Sequence, residues 1–457
     1  MEDLHFADAT ADNDMTKTAK TTKKRTSKRV TAWKKPVTRK ARSVMKTCAK
    51  TRKKEQSESK SNPGRGAAEA QKFLKELKDL IAKKPDAPMV KKLTSETTIQ
   101  VGSDCSGLGS ELVSLATVLG GDCGRIQTKF VSESDATKRL WLQAVAAHFA
   151  NETPEKIYKD LRDRQNAFAP ETHLFVTGAP CPPYSQAGLN KGLEDLRGDL
   201  ILRSLSYVVE KRPVMVLMEN VKNLASEKHK KVLHEIASVL RACGYKVQAE
   251  ILNTQNHGIP QNRERVYVIA ILKSYIIEGR EFSFPQTSQM AELKRFLNDE
   301  TDAANSDCRP SELCQTANRN IRKANKQLKK QPTSQEVIVD AAAGKGYFNM
   351  MVGVCPCITK ARGGERGFYL LGQSRYLNVF EQGRLQGWHP KWVRMLLRAC
   401  DSKSQLGKAL GDAMSLNILQ RLLPRMLYSV GLLAKLPKDN WAHIPAHGPM
   451  PSTLYDS

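Results

Sequence analysis

From Thr97 onward, short apolar runs alternate with helical stretches. This alternation restricts the chain more than any other feature, because a strand–helix–strand repeat folds as a mostly parallel sheet with helices on its faces. The candidate strands are Thr98–Gly102, Thr128–Ser132, Leu174–Thr177, Val214–Met218, Tyr245–Leu252 and Val266–Leu272. Each of the first four leads into a residue with chemical potential: Asp104, Glu133, Cys181 and Glu219. In such sheets ligands bind outside the carboxyl ends of the strands, so these four are expected to meet at one crevice.

The residues at those ends suggest what the crevice does. Cys181 stands between Pro180 and Pro182 in Gly178-Ala179-Pro180-Cys181-Pro182-Pro183. A thiolate on a stiff turn at a strand end is a ready nucleophile, whereas a core thiol needs no such frame. Asp104-Cys105-Ser106-Gly107-Leu108-Gly109-Ser110 is a glycine loop between strand and helix, which lets backbone approach a nucleotide-like ligand. It lacks both the third glycine of the dinucleotide fingerprint and the lysine of a P-loop, so phosphate is not its obvious ligand. Glu133 could chelate ribose hydroxyls, or simply be an acid at a helix N-terminus, and Asp160 could accept from an exocyclic amine. The set suits an adenosine without a pyrophosphate, as in S-adenosylmethionine.

The formal net charge is +26, which points to a polyanionic partner. Between Thr16 and Lys54 there are seventeen Lys or Arg and no acid. Residues 1–62 are therefore expected to be a disordered basic arm with non-specific phosphate affinity, suited to nuclear targeting. No apolar run is long enough to predict a membrane span. Ten cysteines without disulfide-like spacing fit a reducing compartment. Cys308, Cys314, Cys355 and Cys357 lack the usual zinc-ligand spacings, and no metal is expected.

Boundaries follow from composition. A linker helix is expected over 67–84, with Phe73, Leu77, Leu80 and Ile81 on one face, docked on the catalytic part. A catalytic core spans 97–285, and a polar region over 286–354 lacks strong strand periodicity. The core resumes over 355–433, its final helical stretch (409–433) broken at Pro424, and 434–457 is a tail. Within the polar region, Thr316–Lys330 sets Arg319, Arg322, Lys326 and Lys330 on one helix face, which reads as a solvated face or as a phosphate clamp.

Six ordered motifs resemble those of the DNA (cytosine-5) methyltransferase family. They are VGSDCSGLGS; GAPCPPYSQAG; LEDLRGDL with LMENVKNL; HGIPQNRERVYVIA; GRLQGWHP; and LGKALGDAMSLNI. The resemblance implies an α/β fold: a Rossmann-like class I SAM-dependent methyltransferase sheet with a smaller target-recognition region. It implies Cys181 as nucleophile toward cytosine C6, and Glu219 at N3 and N4, suited once burial raises its pKa. Arg263 and Arg265 would face the base O2 and phosphates. Asp104, Ser106, Gly107, Gly109, Glu133, Asp160, Pro180, Asp412 and Ala413 would hold S-adenosyl-L-methionine. The implied partner is double-stranded DNA, with the target base flipped out of the stack.

Three positions depart from the family pattern. Pro182 replaces the usual Gln after the nucleophile, Asp412 stands where the last motif usually has Asn, and Ser134 replaces an aromatic or large apolar residue. Two other readings remain open: an RNA (tRNA) cytosine-5 methyltransferase, which Cys357-Ile358-Thr359 loosely echoes, and a non-catalytic DNA-binding regulator.

Overall fold

The apolar runs assemble into a seven-stranded sheet. Its members are β1 (Ile99–Asp104), β2 (Ile126–Ser132), β3 (Lys156–Tyr158), β4 (Leu174–Thr177), β5 (Met215–Val221), β6 (Tyr245–Asn253) and, after the short β7 (Gln261–Asn262), β8 (Glu264–Leu272). They lie in the order β3-β2-β1-β4-β5-β8-β6, parallel except for β8, which runs antiparallel to both its neighbours. The computed structural model describes residues 65–83, 92–179, 199–302, 305, 308–364, 366–442 and 444. The basic arm, and Pro180, Cys181 and Pro182 of the cysteine turn, lie outside the described residues.

Successive side chains of each strand enter opposite layers, and two cores result. One face sets Val101, Val176, Leu217 and Ile269 against Leu112, Trp141, Leu419 and Leu422. The other sets Phe175, Val216, Met218 and Val268 against Leu205, Val208, Ile236 and Leu240. The flanking helices are α1 (Arg65–Lys83), α2 (Ser110–Val118), α3 (Ala136–Phe149), α4 (Asp199–Lys211) and α5 (Lys230–Ala242). The amphipathic α1 lies on the second core, with Leu77 buried and Phe73, Leu74, Leu80 and Ile81 packed beside it.

A second, four-stranded antiparallel sheet has the order β10-β9-β12-β13. After α6 (Gln315–Lys330) come β9 (Val337–Asp340), β10 (Met350–Val352), β11 (Cys355–Pro356), β12 (Phe368–Leu370) and β13 (Arg375–Tyr376). The polar region expected to end at residue 354 thus shares its sheet with two strands from beyond it. Strands of two to four residues are too short to show a period in sequence. β11 pairs in parallel with β7 in a separate two-stranded sheet, tying the returning chain to the segment that leads into β8.

Four helices follow: α7 (Val379–Leu385), α8 (Pro390–Ala399), α9 (Lys403–Asp412) and α10 (Leu416–Ser429). The break expected at Pro424 falls instead at Ala413–Ser415, and Pro424 is buried inside α10. Ala413 is extended (φ −68°, ψ 151°) and its carbonyl is taken by the Arg263 guanidinium, so helix cannot continue through it.

Leu77→Ala should cost about 2–4 kcal/mol of stability, as for other buried leucines truncated to alanine. Equilibrium urea unfolding measures it, and a loss near zero would mean that α1 is not part of the folded core.

Candidate active site

The carboxyl ends of β1, β4 and β5 border a small crevice lined by Ser103, Asp104, Ser106, Gly107, Ser110, Glu111, Gly178, Glu219, Asp412, Ala413 and Met414, among others. The glycine loop forms one wall. Gly109 leads into α2 at φ 71°, and a Cβ there would lie 3.1 Å from Leu142, so both conformation and space call for glycine. The Gly107 N–H donates to Glu133 Oε2 at 3.1 Å, and Glu133 Oε1 accepts from the Asp135 N–H at 2.8 Å. Ser106 Oγ donates to the Ser103 carbonyl at 3.0 Å and accepts from the Ser132 N–H at 3.2 Å, fastening the loop to the end of β2.

Asp104 also borders the crevice, while its carboxylate is held on the α4 side of β1. There its carboxylate forms a bidentate ion pair with Arg164, one arm at 2.9 Å, and accepts from Ser132 Oγ at 2.7 Å and Ser204 Oγ at 2.9 Å. The Arg164 guanidinium lies 5.0 Å from the Phe130 ring centroid and 4.8 Å from that of Tyr207. Sequence reasoning placed Asp104 at the cofactor; it borders the crevice, with its carboxylate committed to these contacts. Another acid lining the crevice, unnoticed in the sequence, is Glu111 in the first turn of α2. It is buried, and its Oε1 has no hydrogen-bond partner among the described residues. Burial pushes its pKa up to about 6, against a partial offset from the Ser103 hydroxyl.

Across the crevice, Glu219 lies near the carboxyl end of β5 and pairs with Arg265 of β8, Oε1 to Nε 3.1 Å, with Arg263 Nη2 at 4.0 Å. Glu219 is buried, and that oxygen makes no hydrogen bond among the described residues. The two arginines then diverge. Arg263 is turned inward: Nη1 donates to the Ile358 carbonyl at 2.8 Å and the Gly411 carbonyl at 3.2 Å, and Nη2 to the Ala413 carbonyl at 2.8 Å. Sequence reasoning placed Arg263 at the base and phosphates; here carbonyls of the returning chain take donors from both of its terminal nitrogens. Both guanidiniums also reach Cys357 Sγ at 3.7 Å. Burial opposes ionisation of that thiol, but Arg265 and Arg263 outweigh it and hold its pKa below the ordinary value.

Asp160 follows β3, is partly exposed, and accepts from the Arg162 backbone and side chain at 2.9 and 3.2 Å. Asp412 ends α9 at the crevice rim and pairs with Lys138 at 2.8 Å and Lys360 at 3.4 Å. Burial disfavours the Lys138 ammonium, yet Asp412 and Glu133 outweigh this and raise its pKa. Cys308 and Cys355 pack in two different apolar clusters, and among the described residues no group of His, Cys, Asp and Glu is placed to hold a metal.

A family model for C-5 cytosine-specific DNA methylase matches residues 115–427. The type II methyltransferase M.NgoBI of Neisseria gonorrhoeae is 27% identical over 316 residues, which cover 69% of this chain and 90% of the relative. M.HhaI of Haemophilus parahaemolyticus is 27% identical over 292 residues, 61% and 81% of the two chains. M.NlaX of Neisseria lactamica is 38% identical over 143 residues, 31% of this chain, and the match spans only 44% of that relative's length. Among solved structures, the Entamoeba histolytica methyltransferase EhMeth superimposes with a TM-score of 0.49 at 17% identity, covering 73% of this chain and 98% of its own.

Two predictions follow from this geometry. Arg164→Leu leaves Asp104 charged, buried and without its cation, and should cost about 3–5 kcal/mol in urea unfolding; a loss under about 1 kcal/mol would refute the structural role. For Glu111 the folded-state pKa (about 6) exceeds the ordinary 4.5, so the folded chain keeps a proton that the unfolded chain has lost. Stability therefore falls as pH rises through that window, and the penalty stands in full above it. Glu111→Gln should raise the ligand-free chain's stability by up to about 2 kcal/mol at pH 8, with the gain fading toward pH 5. Thermal unfolding across pH would show the reverse, or no pH dependence, if Glu111 were solvated.

Proposed function

The chain belongs to the C-5 cytosine-specific DNA methylase family, and on that premise we propose that it transfers a methyl group from S-adenosyl-L-methionine to C5 of cytosine in duplex DNA. The observation that carries this reading is Glu219: a buried carboxylate that lines the crevice, with its Oε1 held 3.1 Å from Arg265 Nε. A group so held can meet N3 and N4 of a cytosine turned out of the stack and answer the charge that develops at N3. Arg265 keeps the carboxylate in place.

The crevice residues fit the methyl donor. Glu111, Glu133 and Asp412 put carboxylates around a site for a cationic ligand, and among the described residues lining it there is no lysine or arginine for a pyrophosphate. Glu133 and the Gly107 backbone would hold the ribose, and the first turn of α2 the amino-acid carboxylate. When bound, S-adenosylmethionine supplies an electrophilic methyl carbon. Cytosine C5 is a poor nucleophile until a thiolate adds to C6 and makes C5 enamine-like; Cys181, in its Pro-Cys motif, is the thiol we assign to that step. After transfer the C5 proton leaves and the thiolate is expelled. The arm's seventeen basic residues between Thr16 and Lys54 support a further reading, of non-specific DNA affinity and a nuclear location.

Methyl transfer from labelled S-adenosylmethionine tests this, with unmethylated duplex, hemimethylated duplex and total tRNA offered in parallel. The chain should label duplex DNA, and Cys181→Ala should abolish the label while leaving duplex binding intact. Label in tRNA alone would move the substrate to RNA. No label in any substrate, with DNA binding intact, would leave a binding protein.

A further inference from the structure

The helix α6 is basic in a way that its fold does not require. Its sixteen residues hold Arg319, Arg322, Lys323, Lys326, Lys329 and Lys330 and no acid. Ala317, Asn320, Ile321 and Ala324 form the buried face. At 3.6 residues per turn, Arg322, Lys326, Lys329 and Lys330 fall on the opposite side, and all four are exposed along about 12 Å of axis. A helix face that merely meets water usually interleaves opposite charges at three- and four-residue spacings. Here Arg322, Lys326 and Lys330 are like charges four apart, each pair destabilising the helix. Among the described residues no carboxylate pairs with any of the four.

The stripe is held rigidly. Asn320 Nδ2 lies 3.0–3.2 Å from the carbonyls of Asp340, Ala341 and Ala343, and Arg319 Nη2 donates to Ala343 at 2.8 Å. The Lys323 ammonium lies 5.9 Å from the Phe348 ring centroid. These contacts lock the helix to the β9–β10 turn, whose tip carries Gly344, Lys345, Gly346 and Tyr347. Tyr347 is 79% exposed, the most exposed large apolar side chain among the described residues.

We propose that the outward stripe of α6 binds backbone phosphates of duplex DNA, with Tyr347 at the adjoining tip packing against the groove wall. This rests on the reading of the chain as a DNA enzyme and adds to it a surface outside the crevice. Row spacing, rigidity and unpaired charge suit a regular polyanion, and phosphate contacts of this kind set register rather than read sequence.

The test uses the full chain, a fluorescent duplex and a salt series. Arg322→Gln, Lys326→Gln, Lys329→Gln and Lys330→Gln together should flatten the slope of log affinity against log salt by about 3–4, at roughly 0.9 per phosphate contact. The KM for DNA should rise by about tenfold or more, with kcat and the KM for S-adenosylmethionine unchanged. Tyr347→Ala should weaken binding without changing the slope. A control with four exposed lysines neutralised elsewhere (Lys231, Lys273, Lys435 and Lys438, each to Gln) should keep the wild-type slope. An unchanged slope in the α6 variant, an equal loss in the control, or a loss confined to duplex RNA would each overturn the proposal. Binding is read apart from turnover. A chain that methylates DNA but shows no α6 effect refutes the stripe alone; stripe-dependent DNA binding without methyl transfer refutes the catalytic reading alone.

Discussion

The buried pair of Asp104 and Arg164 fixes the geometry from which the crevice is built. Taking two charges out of water is expensive, and such a pair persists only when its remaining donors and acceptors are also satisfied. Here Ser132 and Ser204 complete the carboxylate, while Phe130 and Tyr207 cover the guanidinium. The consequence is positional. One side chain joins the end of β1 to the end of β2, to α4 and to the segment after β3, so the last residue of β1 cannot rotate. Cys105 follows at φ 53°, and the chain is thrown to the opposite face of the sheet, where Gly107 meets Glu133.

A second arginine does comparable work at the other end of the crevice. The large sheet is made before residue 285, but the wall formed by α9 and the turn after it comes from more than a hundred residues later. Arg263 joins the two by donating to Ile358, Gly411 and Ala413, and Gln261 acts beside it, accepting from the Ile358 N–H at 3.0 Å and donating to the Leu385 carbonyl at 2.6 Å. Gly411 permits this closeness, since a Cβ there would sit 2.4 Å from the Thr359 backbone. Of the three polar residues alternating along this stretch, Gln261 and Arg263 staple the fold, and Arg265 sets its charge closer to Glu219 than Arg263 does, 3.1 against 4.0 Å.

These roles mark what the sequence could and could not disclose. Strands of four or more residues in the large sheet were legible because buried parallel strands read as unbroken apolar runs, and Leu174–Thr177 was placed to the residue. The acid near the end of β5 and the glycine loop were legible for the same reason, being fixed relative to apolar runs. What a sequence does not print is the pleat. A shift of one position exchanges the two faces, and so the commitment of the Asp104 carboxylate to Arg164, and the places of Ser103 and Glu111 in the crevice, went unnoticed. Arg164 and Ser204 lie 60 and 100 positions from Asp104, in segments with no motif of their own. The partners of Arg263 were hidden likewise, since backbone carbonyls carry no side-chain signal.

The same reasoning gives Asp412 a meaning different from a lost asparagine. An added carboxylate at a crevice rim would attract a cation and repel the neighbouring acids if it stood alone. It does not: Lys138 of α3 lies 2.8 Å away and Lys360 3.4 Å away. Lys138 stays charged against burial because Asp412 and Glu133 face it, so the lysine screens one acid from the other. The departure is therefore a pair of charges rather than a single substitution, and it couples the first turn of α3 to the end of α9. The crevice keeps Glu111 as the acid without such a partner, and a ligand bearing positive charge is what that carboxylate lacks.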